Sequence, residues 1–409
     1  MLKTFFSFYN ILFIALYSLT MPFILILVKL KVLPQHILEY YGFIDYRDYK
    51  TSSIWLHCAS IGEIRSITPF TNELKRQCPS LNIIITTTTI GGKKIAQKEI
   101  ENAVVFLLPI ENVLAIHKII KKYNIKLLLI VETELWPNLI NTASKYCRLY
   151  LINARLSQKS YKRYKTFSCL FKKLLSKFNR IYAKDKFDKI LIESISQSHV
   201  EQLGNIKFAN TNVNIDNNIK KIFLNKKCLL LASTHKGEEH FFIKNSYKYM
   251  DSFDYIFIAP RHINRIKEIE ELLNKHNLSY SIFSKDRSFR KFILIDLFGV
   301  MDTFYSISDK IFIGGSLVNI GGHNIYEALR LRKIIATGPY MDNFIDIYKL
   351  ALSCGLLYLV NNVDDFITYL DVNINLDGKF NVFFGKLEQK NKKILNNLMG
   401  LVKSEIENP

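Results

Sequence analysis

Residues 310–327, Lys-Ile-Phe-Ile-Gly-Gly-Ser-Leu-Val-Asn-Ile-Gly-Gly-His-Asn-Ile-Tyr-Glu, decide the fold class of this chain. Lys310-Ile-Phe-Ile313 reads as a buried strand, and two glycine pairs bracket the loop that follows. A helix is expected to begin just after that loop. Strand, glycine loop and helix in this order form the repeating unit of a doubly wound α/β protein. Backbone N–H groups of such a loop close on a phosphate, and a helix N-terminus adds a positive field. On this reading Gly314, Gly315 and Ser316 lie near phosphate, while His323, Asn324 and Glu327 sit around the first helical turn. Glycines also serve such folds simply by turning tightly, so the loop alone specifies no ligand.

Outward from the loop, strand and helix patterns alternate along most of the chain. Apolar, β-rich runs occur at 54–56, 82–89, 104–108, 126–131, 149–152 and 180–183. A second series occurs at 228–232, 255–259, 280–283, 292–295, 311–313 and 334–336. This alternation predicts parallel sheets covered on both faces. Between the two series lies the polar stretch Asn210-Thr-Asn-Val-Asn-Ile-Asp-Asn-Asn218, which reads as a linker. The expected organisation is a membrane-anchor segment over 1–33, a Rossmann-like domain over 34–208 and a linker over 209–225. A second Rossmann-like domain over 226–385 and a C-terminal helix over 386–409 complete it. Two α/β halves imply a central cleft, with ligands bound beyond the strand C-termini.

The 409 residues carry 56 Lys and Arg against 36 Asp and Glu, a net charge of +20 that points to an anionic partner. Twelve Lys or Arg and two acids fall between Arg155 and Ile190, so half of the excess sits in that stretch. Phe167, Leu170, Phe171, Leu174, Leu175 and Phe178 recur there at helical spacing, beside Lys172, Lys173, Lys177 and Arg180. The stripe suits a helix on anionic lipid, or a core-facing helix with a solvated basic back. Six scattered cysteines show neither CxxC nor zinc-ligand spacing and read as reduced cytosolic thiols, with no structural metal site expected. From Phe5 to Val28 runs an uncharged apolar segment about 36 Å long if helical, enough to span a bilayer. The run is too long for a cleavable signal peptide. Lysines and the basic body behind it place that body on the cytoplasmic face. Pro22 leaves open whether the segment spans or dips.

Several polar motifs follow strands. Ser60-x-x-Glu63 after the first strand matches a capping box, yet Gly62 permits close approach of a substrate to a carboxylate suited to general-base work. Glu132-Thr-Glu-Leu-Trp-Pro137 places two acids after an aliphatic run, where they either cap and pair or face a ligand. Arg155 holds a carboxylate or phosphate, or pairs with Glu132 or Glu134. In the second half Ser233 and Thr234 are good N-cap residues, and Arg261 is a phosphate or carboxylate ligand candidate.

Taken together these stretches resemble the 3-deoxy-D-manno-octulosonic acid (Kdo) transferases of lipid A assembly. The resemblance is carried by Ala59–Glu63, Thr86–Thr89, Glu132–Pro137, Asn153–Ser157, Gly204–Lys207, Ala232–His235, Pro260–His262 and Gly314–Glu327, in the family's order. It implies a GT-B type glycosyltransferase that moves Kdo from CMP-Kdo to lipid IVA with inversion, without a metal or other cofactor. Glu63 matches the family's general base. By the same resemblance Ser60, Glu132, Glu134, Arg155 and Lys207 serve substrate binding. Arg261, Gly314, Gly315, Ser316, Asn324 and Glu327 serve the nucleotide. Ala209, Val300, Gly91, Asn319, Ile325 and Ala328 depart from the family pattern. A phosphorylated glycolipid acceptor accounts for both the basic surface and the anchor, at the inner face of the cytoplasmic membrane. The rivals are a GT-B enzyme using a UDP-sugar, an inactive relative, and a basic nucleic-acid binder. The last lacks any recognised nucleic-acid module, so no nucleic-acid partner is expected.

Overall fold

The computed structural model describes residues 2–156, 158–196, 198–205, 213–286, 288–373 and 376–407. The chain forms two compact units, Met1–Asn210 with Gln389–Pro409, and Thr211–Glu388. Each is built on one seven-stranded, wholly parallel sheet.

In the first unit the strands are β1 (Ser53–His57), β2 (Asn82–Thr87), β3 (Ala103–Leu107), β4 (Ile125–Val131), β5 (Arg148–Ala154), β6 (Arg180–Ala183) and β7 (Glu201–Gln202), in the order β3-β2-β1-β4-β5-β6-β7. The reversal lies between β1 and β4, where Ile54 is in register with Leu127 and His57 with Ile130. Period-two alternation sends Trp55, Leu128 and Ile130 into one apolar layer, and Ile54, Leu56, Leu127, Leu129 and Val131 into the other. Because helices cover both faces, the strands read as continuous hydrophobic runs. The two-residue β7 has no such run, which is why the sequence did not announce it.

The last helix, Asp377–Glu407, starts nine residues before the expected 386 because the pattern already favours helix across the Phe380–Phe384 ring pairs. Its later part belongs to the first unit. There Ile394, Leu398, Met399 and Val402 close the layer under Ile54 and Leu56. The buried Glu405 carboxylate accepts from the Tyr150 hydroxyl and pairs with Arg148 at 2.6 Å.

The N-terminal helix Leu2–Lys29 runs unbroken through Pro22 and is long and apolar enough to cross a membrane. One face is nevertheless tied to the first unit. Phe6 joins its core, and the Tyr9 hydroxyl donates to Glu111 Oε1 at 3.2 Å. The Tyr17 hydroxyl donates to the Tyr40 carbonyl at 2.9 Å, and Tyr41 to Thr20 Oγ1 at 3.0 Å. Positions 6, 9, 17 and 20 share a helical face. Phe8, Ile11, Leu12, Leu19, Phe23 and Ile26 are exposed elsewhere on the helix. In the basic stretch the helix Ser168–Leu175 buries Leu174 and Leu175, with Phe178 after it, while Phe167 stays exposed. That stripe is thus largely core-facing, with its lysines solvated behind it.

The second unit orders β8 (Cys228–Thr234), β9 (Tyr255–Pro260), β10 (Tyr280–Ile282), β11 (Phe292–Leu294), β12 (Lys310–Ile313), β13 (Ile335–Thr337) and β14 (Leu357–Leu359) as β10-β11-β9-β8-β12-β13-β14. Its reversal lies between β8 and β12, so the glycine loop opens at a switch point.

Leu398→Ala removes a side chain buried in the first unit's core. It is expected to lower that unit's stability by about 2–5 kcal/mol, read as an earlier urea midpoint in the unfolding of the full chain.

Candidate active site

At the switch point of the first sheet, β1 leads through buried Cys58 to Ser60, the N-cap of the helix Ile61–Gln77. The Ser60 backbone is extended (φ −127°, ψ 163°), and its Oγ accepts the Glu63 N–H at 3.3 Å. Glu63 reaches back, as a capping box requires, but one residue further than expected. Its Oε2 accepts the Ala59 N–H at 2.7 Å, and its Oε1 accepts the Ser60 hydroxyl at 2.7 Å. Thr88 Oγ1 donates to the Ala59 carbonyl at 2.8 Å and steadies this turn. Glu63 is only 5% exposed. Burial pushes its carboxyl up to about 7, against the lowering hydrogen bond from Ser60, and Glu132 and Glu134 raise it further by repulsion. A Cβ built on Gly62 would meet nothing nearer than Ser60 Oγ at 3.9 Å, so there is open space at residue 62, next to Glu63 in the chain.

The neighbouring β4 ends at Val131, and Glu132 turns away from the sheet in the left-handed region (φ +60°), where a glutamate is uncommon. The turn is held by the Glu132 N–H on the Ile152 carbonyl at 2.9 Å. The Arg155 N–H donates to Thr133 Oγ1 at 3.1 Å, which ties the ends of β4 and β5 together. Of the two pairings open to Arg155, the structure makes the one with Glu132, Nε to Oε2 at 2.7 Å. Glu134 accepts from Trp136 Nε1 at 3.2 Å, and burial raises its carboxyl. Pro137 is the first residue of the helix Pro137–Ala143, as its missing N–H allows. Glu63, Glu132 and Glu134 therefore share one electrostatic neighbourhood with the Arg155 guanidinium, which pairs with Glu132.

In the second unit the glycine loop is built differently from expectation. The Glu238 carboxylate, fully buried, already fills its ring of donors. Oε2 accepts from Gly315 N–H at 2.7 Å and His235 N–H at 2.9 Å; Oε1 accepts from Ser316 N–H at 3.0 Å and Leu317 N–H at 2.9 Å. The Gly314 N–H is bound to the Ala232 carbonyl at 2.7 Å, and Ser316 Oγ donates to the Ile313 carbonyl. The expectation that Gly314, Gly315 and Ser316 present N–H groups to a phosphate is corrected accordingly: a protein carboxylate occupies that cradle. Gly314 is required on steric grounds, since a Cβ there would lie 2.7 Å from Glu238 Oε2, the Ser233 carbonyl oxygen and Thr234 Cα. Ser233 and Thr234 are not N-caps either. Both belong to β8, with Ser233 at φ +55°, and Gly237 precedes the helix Glu238–Lys244.

Past the loop, the expected helix is one turn, Tyr326–Leu329. Asn324 Oδ1 accepts the Tyr326 N–H at 3.1 Å, and its Nδ2 donates to Glu327 Oε1 at 3.0 Å. Burial raises the Glu327 carboxyl, opposed by Asn324, Arg330 and Arg261. Arg261 follows β9, its N–H on the Thr234 carbonyl at 3.0 Å and its side chain exposed. Sequence reasoning put His323 at the first helical turn, within reach of a nucleotide, but gave no role to His235 and did not pair the two; their Nε2 atoms approach to 2.7 Å with ring planes 4° apart. A lone His after each of two strands carries no pairing signal; only the β8–β12 adjacency brings the two together. Glu238 was missed too, since its neighbours in sequence say nothing of the loop it satisfies. Lys207 and Ala209 lie outside the described residues.

A profile of the family described as 3-Deoxy-D-manno-octulosonic-acid transferase (kdotransferase) matches residues 35–210. A 3-deoxy-D-manno-octulosonic acid transferase of Rickettsia prowazekii is 31% identical over 373 residues, covering 87% of this chain and 81% of the relative. A bifunctional glycosyltransferase/methyltransferase of Fusobacterium nucleatum is 34% identical over 385 residues; the alignment covers 87% of this chain but 59% of that relative's length. Among solved structures, the UDP-GlcNAc 2-epimerase of Methanocaldococcus jannaschii aligns with a TM-score of 0.51 at 16% identity, over 80% of this chain and 93% of the epimerase. That likeness is one of fold, and the two doubly wound sheets are of the GT-B type.

A carboxyl raised to about 7 in the fold, from 4.5, favours the folded state below the lower value and loses that contribution as pH rises through the upper one. Glu63→Gln retains both hydrogen-bonding options and discards the cost of burying the charge, on the order of 2–3 kcal/mol. Thermal unfolding of the variant is expected to match the wild type near pH 4.5 and to lie higher above pH 7. A lower melting temperature at every pH would reduce Glu63 to its capping role.

Proposed function

Because the chain belongs to the 3-deoxy-D-manno-octulosonic acid (Kdo) transferase family, we propose that this glycosyltransferase moves Kdo from CMP-Kdo to a hydroxyl of lipid IVA, with Glu63 as general base. The observation that carries the reading is the Glu63 carboxylate: buried, raised to about 7, and at the sheet's switch point next to a glycine with open space around it. A base of that strength is half-ionised near neutrality, where it best combines availability with proton affinity.

In the reaction, the acceptor oxygen attacks the anomeric carbon of Kdo as the bond from that carbon to the CMP phosphate oxygen breaks. The electron pair leaves with CMP, the acceptor proton goes to Glu63, and a single displacement inverts the anomeric centre. The Glu132–Arg155 ion pair gives the acceptor side a fixed dipole for sugar hydroxyls, beside Glu63 and Glu134, whose carboxyls burial raises. Arg261, Asn324 and Glu327 serve the nucleotide, and the family resemblance gives Lys207 a role with the phosphate or the Kdo carboxylate. Gly314, Gly315 and Ser316 contribute shape rather than donors.

The acceptor is a membrane lipid, and the Leu2–Lys29 helix supports a place at the inner face of the cytoplasmic membrane. With Tyr9, Tyr17 and Thr20 hydrogen-bonded to the first unit, the helix lies along the bilayer surface and immerses its exposed apolar side chains. The lysine-rich stretch beyond Arg155 meets anionic headgroups.

Incubating the enzyme with lipid IVA and CMP-Kdo generated in situ is expected to yield a Kdo-bearing lipid whose mass counts the sugars added. Glu63→Gln is expected to lower kcat about 10²–10⁴-fold, and the wild-type rate to rise with pH through about 7. Transfer from a UDP-sugar instead, or equal rates for wild type and variant, would overturn the donor or the base respectively. For the helix, a cysteine at Lys3 is expected to react with an impermeant maleimide, above the parent protein, in inverted vesicles and not in intact spheroplasts. The opposite pattern would mean that the helix spans.

A further inference from the structure

The second unit holds a device that the reaction scheme above does not use. His235, at the end of β8, and His323, past the glycine loop, meet Nε2 to Nε2 at 2.7 Å, and His262 stands edge-on to His235 with ring centroids 5.8 Å apart. A contact of that length between two ring nitrogens is a hydrogen bond in which one Nε2 carries the proton and the other is bare. The pair therefore tolerates one proton between its Nε2 atoms and is broken by two.

The loop is shaped for this pair. A Cβ on Gly315, at φ +66°, would lie 2.9 Å from His323 Cδ2 and 3.4 Å from His235 Cδ2, so only glycine leaves room for both rings. Glu238 fixes both sides at once, because its Oε2 binds the His235 N–H and the Gly315 N–H. The Thr234 hydroxyl oxygen beside them is buried and without a hydrogen-bond partner among the described residues.

The charges around the pair leave a positive surplus. Glu238 is saturated by backbone donors, Arg265 is paired with Glu239 at 2.8 Å and Glu268 at 3.1 Å, and Lys236 faces Glu268 at 3.7 Å. Glu327 is held by Asn324. Arg261 remains; it acts on Glu327 through space but makes no carboxylate ion pair among the described residues. Burial, then His235, Arg261 and His262, pushes His323 down to about 4, and burial lowers His235 as well. At neutral pH the empty pair is therefore uncharged.

We propose that His235 and His323 are the phosphate contact of the nucleotide and take up one proton when it binds. Burial is the main reason the pair is uncharged; a bound anion offsets it by placing a negative charge against the rings and by neutralising Arg261, and its oxygen accepts the ring N–H released from the partner imidazole. The resulting imidazolium stands where negative charge grows on the leaving phosphate, so the proton arrives with the donor and serves the departure of the nucleotide.

The inference rests on the nucleotide reading of the second unit, and one experiment separates the two. The probe is the methyl ester of cytidine 5′-phosphate, a phosphodiester that does not itself titrate near neutrality. It is titrated calorimetrically into the full-length protein at pH 7 in Tris and in PIPES, whose ionisation enthalpies differ. Wild type is expected to absorb about one proton per probe bound, with Kd rising towards tenfold per pH unit above 7. His323→Gln and His235→Gln are each expected to bind more weakly and absorb none, whereas His262→Gln keeps the uptake. Binding with no buffer dependence in the wild type overturns the proton-holding pair and leaves the nucleotide site standing. Proton uptake with the uridine ester but not the cytidine ester supports the pair and overturns the cytidine donor. Binding of neither ester overturns both.

Discussion

The constraint on which the rest depends is that both sheets are buried on both faces. A strand such as Leu127–Val131, apolar in register with Ile54–His57 on one side and Arg148–Ile152 on the other, has no position where a functional polar group is tolerated at modest cost. Chemistry is displaced to the first residues beyond the strand C-termini, and the reversal of strand order decides which of those ends lie beside open space. The β1 and β4 ends carry Glu63, Glu132 and Glu134; the β8 and β12 ends carry His235, Glu238 and the glycine loop. The left-handed residues Glu132, Asn153 and Ser233 mark where a chain leaving a tightly packed strand turns its next side chain sharply aside.

At the first of these sites the physical question is how three carboxylates coexist with one arginine. The answer lies in unequal support. Glu132 has the guanidinium, Glu134 has one indole N–H, and Glu63 has a hydroxyl and one backbone N–H. Burial raises the carboxyls of Glu63 and Glu134, and the neighbouring Glu132 adds repulsion to both. Glu63 follows Gly62, whose missing side chain leaves open space at the start of the helix. A capping box and a general base are therefore compatible. The backbone bonds that cap the helix are also what aim the carboxylate, and burial rather than any single partner sets its proton affinity.

The fold class and the positions of the strand ends were legible because they rest on local signals: apolar runs of strand length, and polar residues immediately after them. Ser60 as an N-cap and Pro137 as the first helical residue follow from the chemistry of one residue each. What the sequence withheld is whatever depends on adjacency between distant strands. Arg155 had two acids within reach on paper, and only the β4–β5 register selects Glu132. The glycine loop read as an open phosphate cradle because glycine content reports backbone freedom, not what occupies the donors. Glu238 lies 77 residues away from Gly315 and carries no mark of its destination. The N-terminal helix is a further case. Its length and hydropathy are those of a span, while the tyrosine hydroxyls that bind one face to the first unit are invisible to a hydropathy average.

The carboxylate in the glycine loop also explains why the second site is cationic in spite of containing Glu238. Four backbone N–H groups share that charge at 2.7–3.0 Å, so little of its field reaches the histidines. Had the loop been left open, a phosphate would have been bound by neutral donors and released with nothing to oppose the extra charge it gains on bond cleavage. On the proposal above, filling the cradle from within moves anion recognition outward to Arg261 and the imidazoles, whose charge would respond to the ligand. The loop thus acts as a rigid platform, and the groups that stand on it carry the electrostatics. The two strand-end sites then have opposite character, carboxylate-rich in one unit and cationic in the other. In the proposed reaction, that is the division of labour between removing a proton from an acceptor and accommodating a departing phosphate.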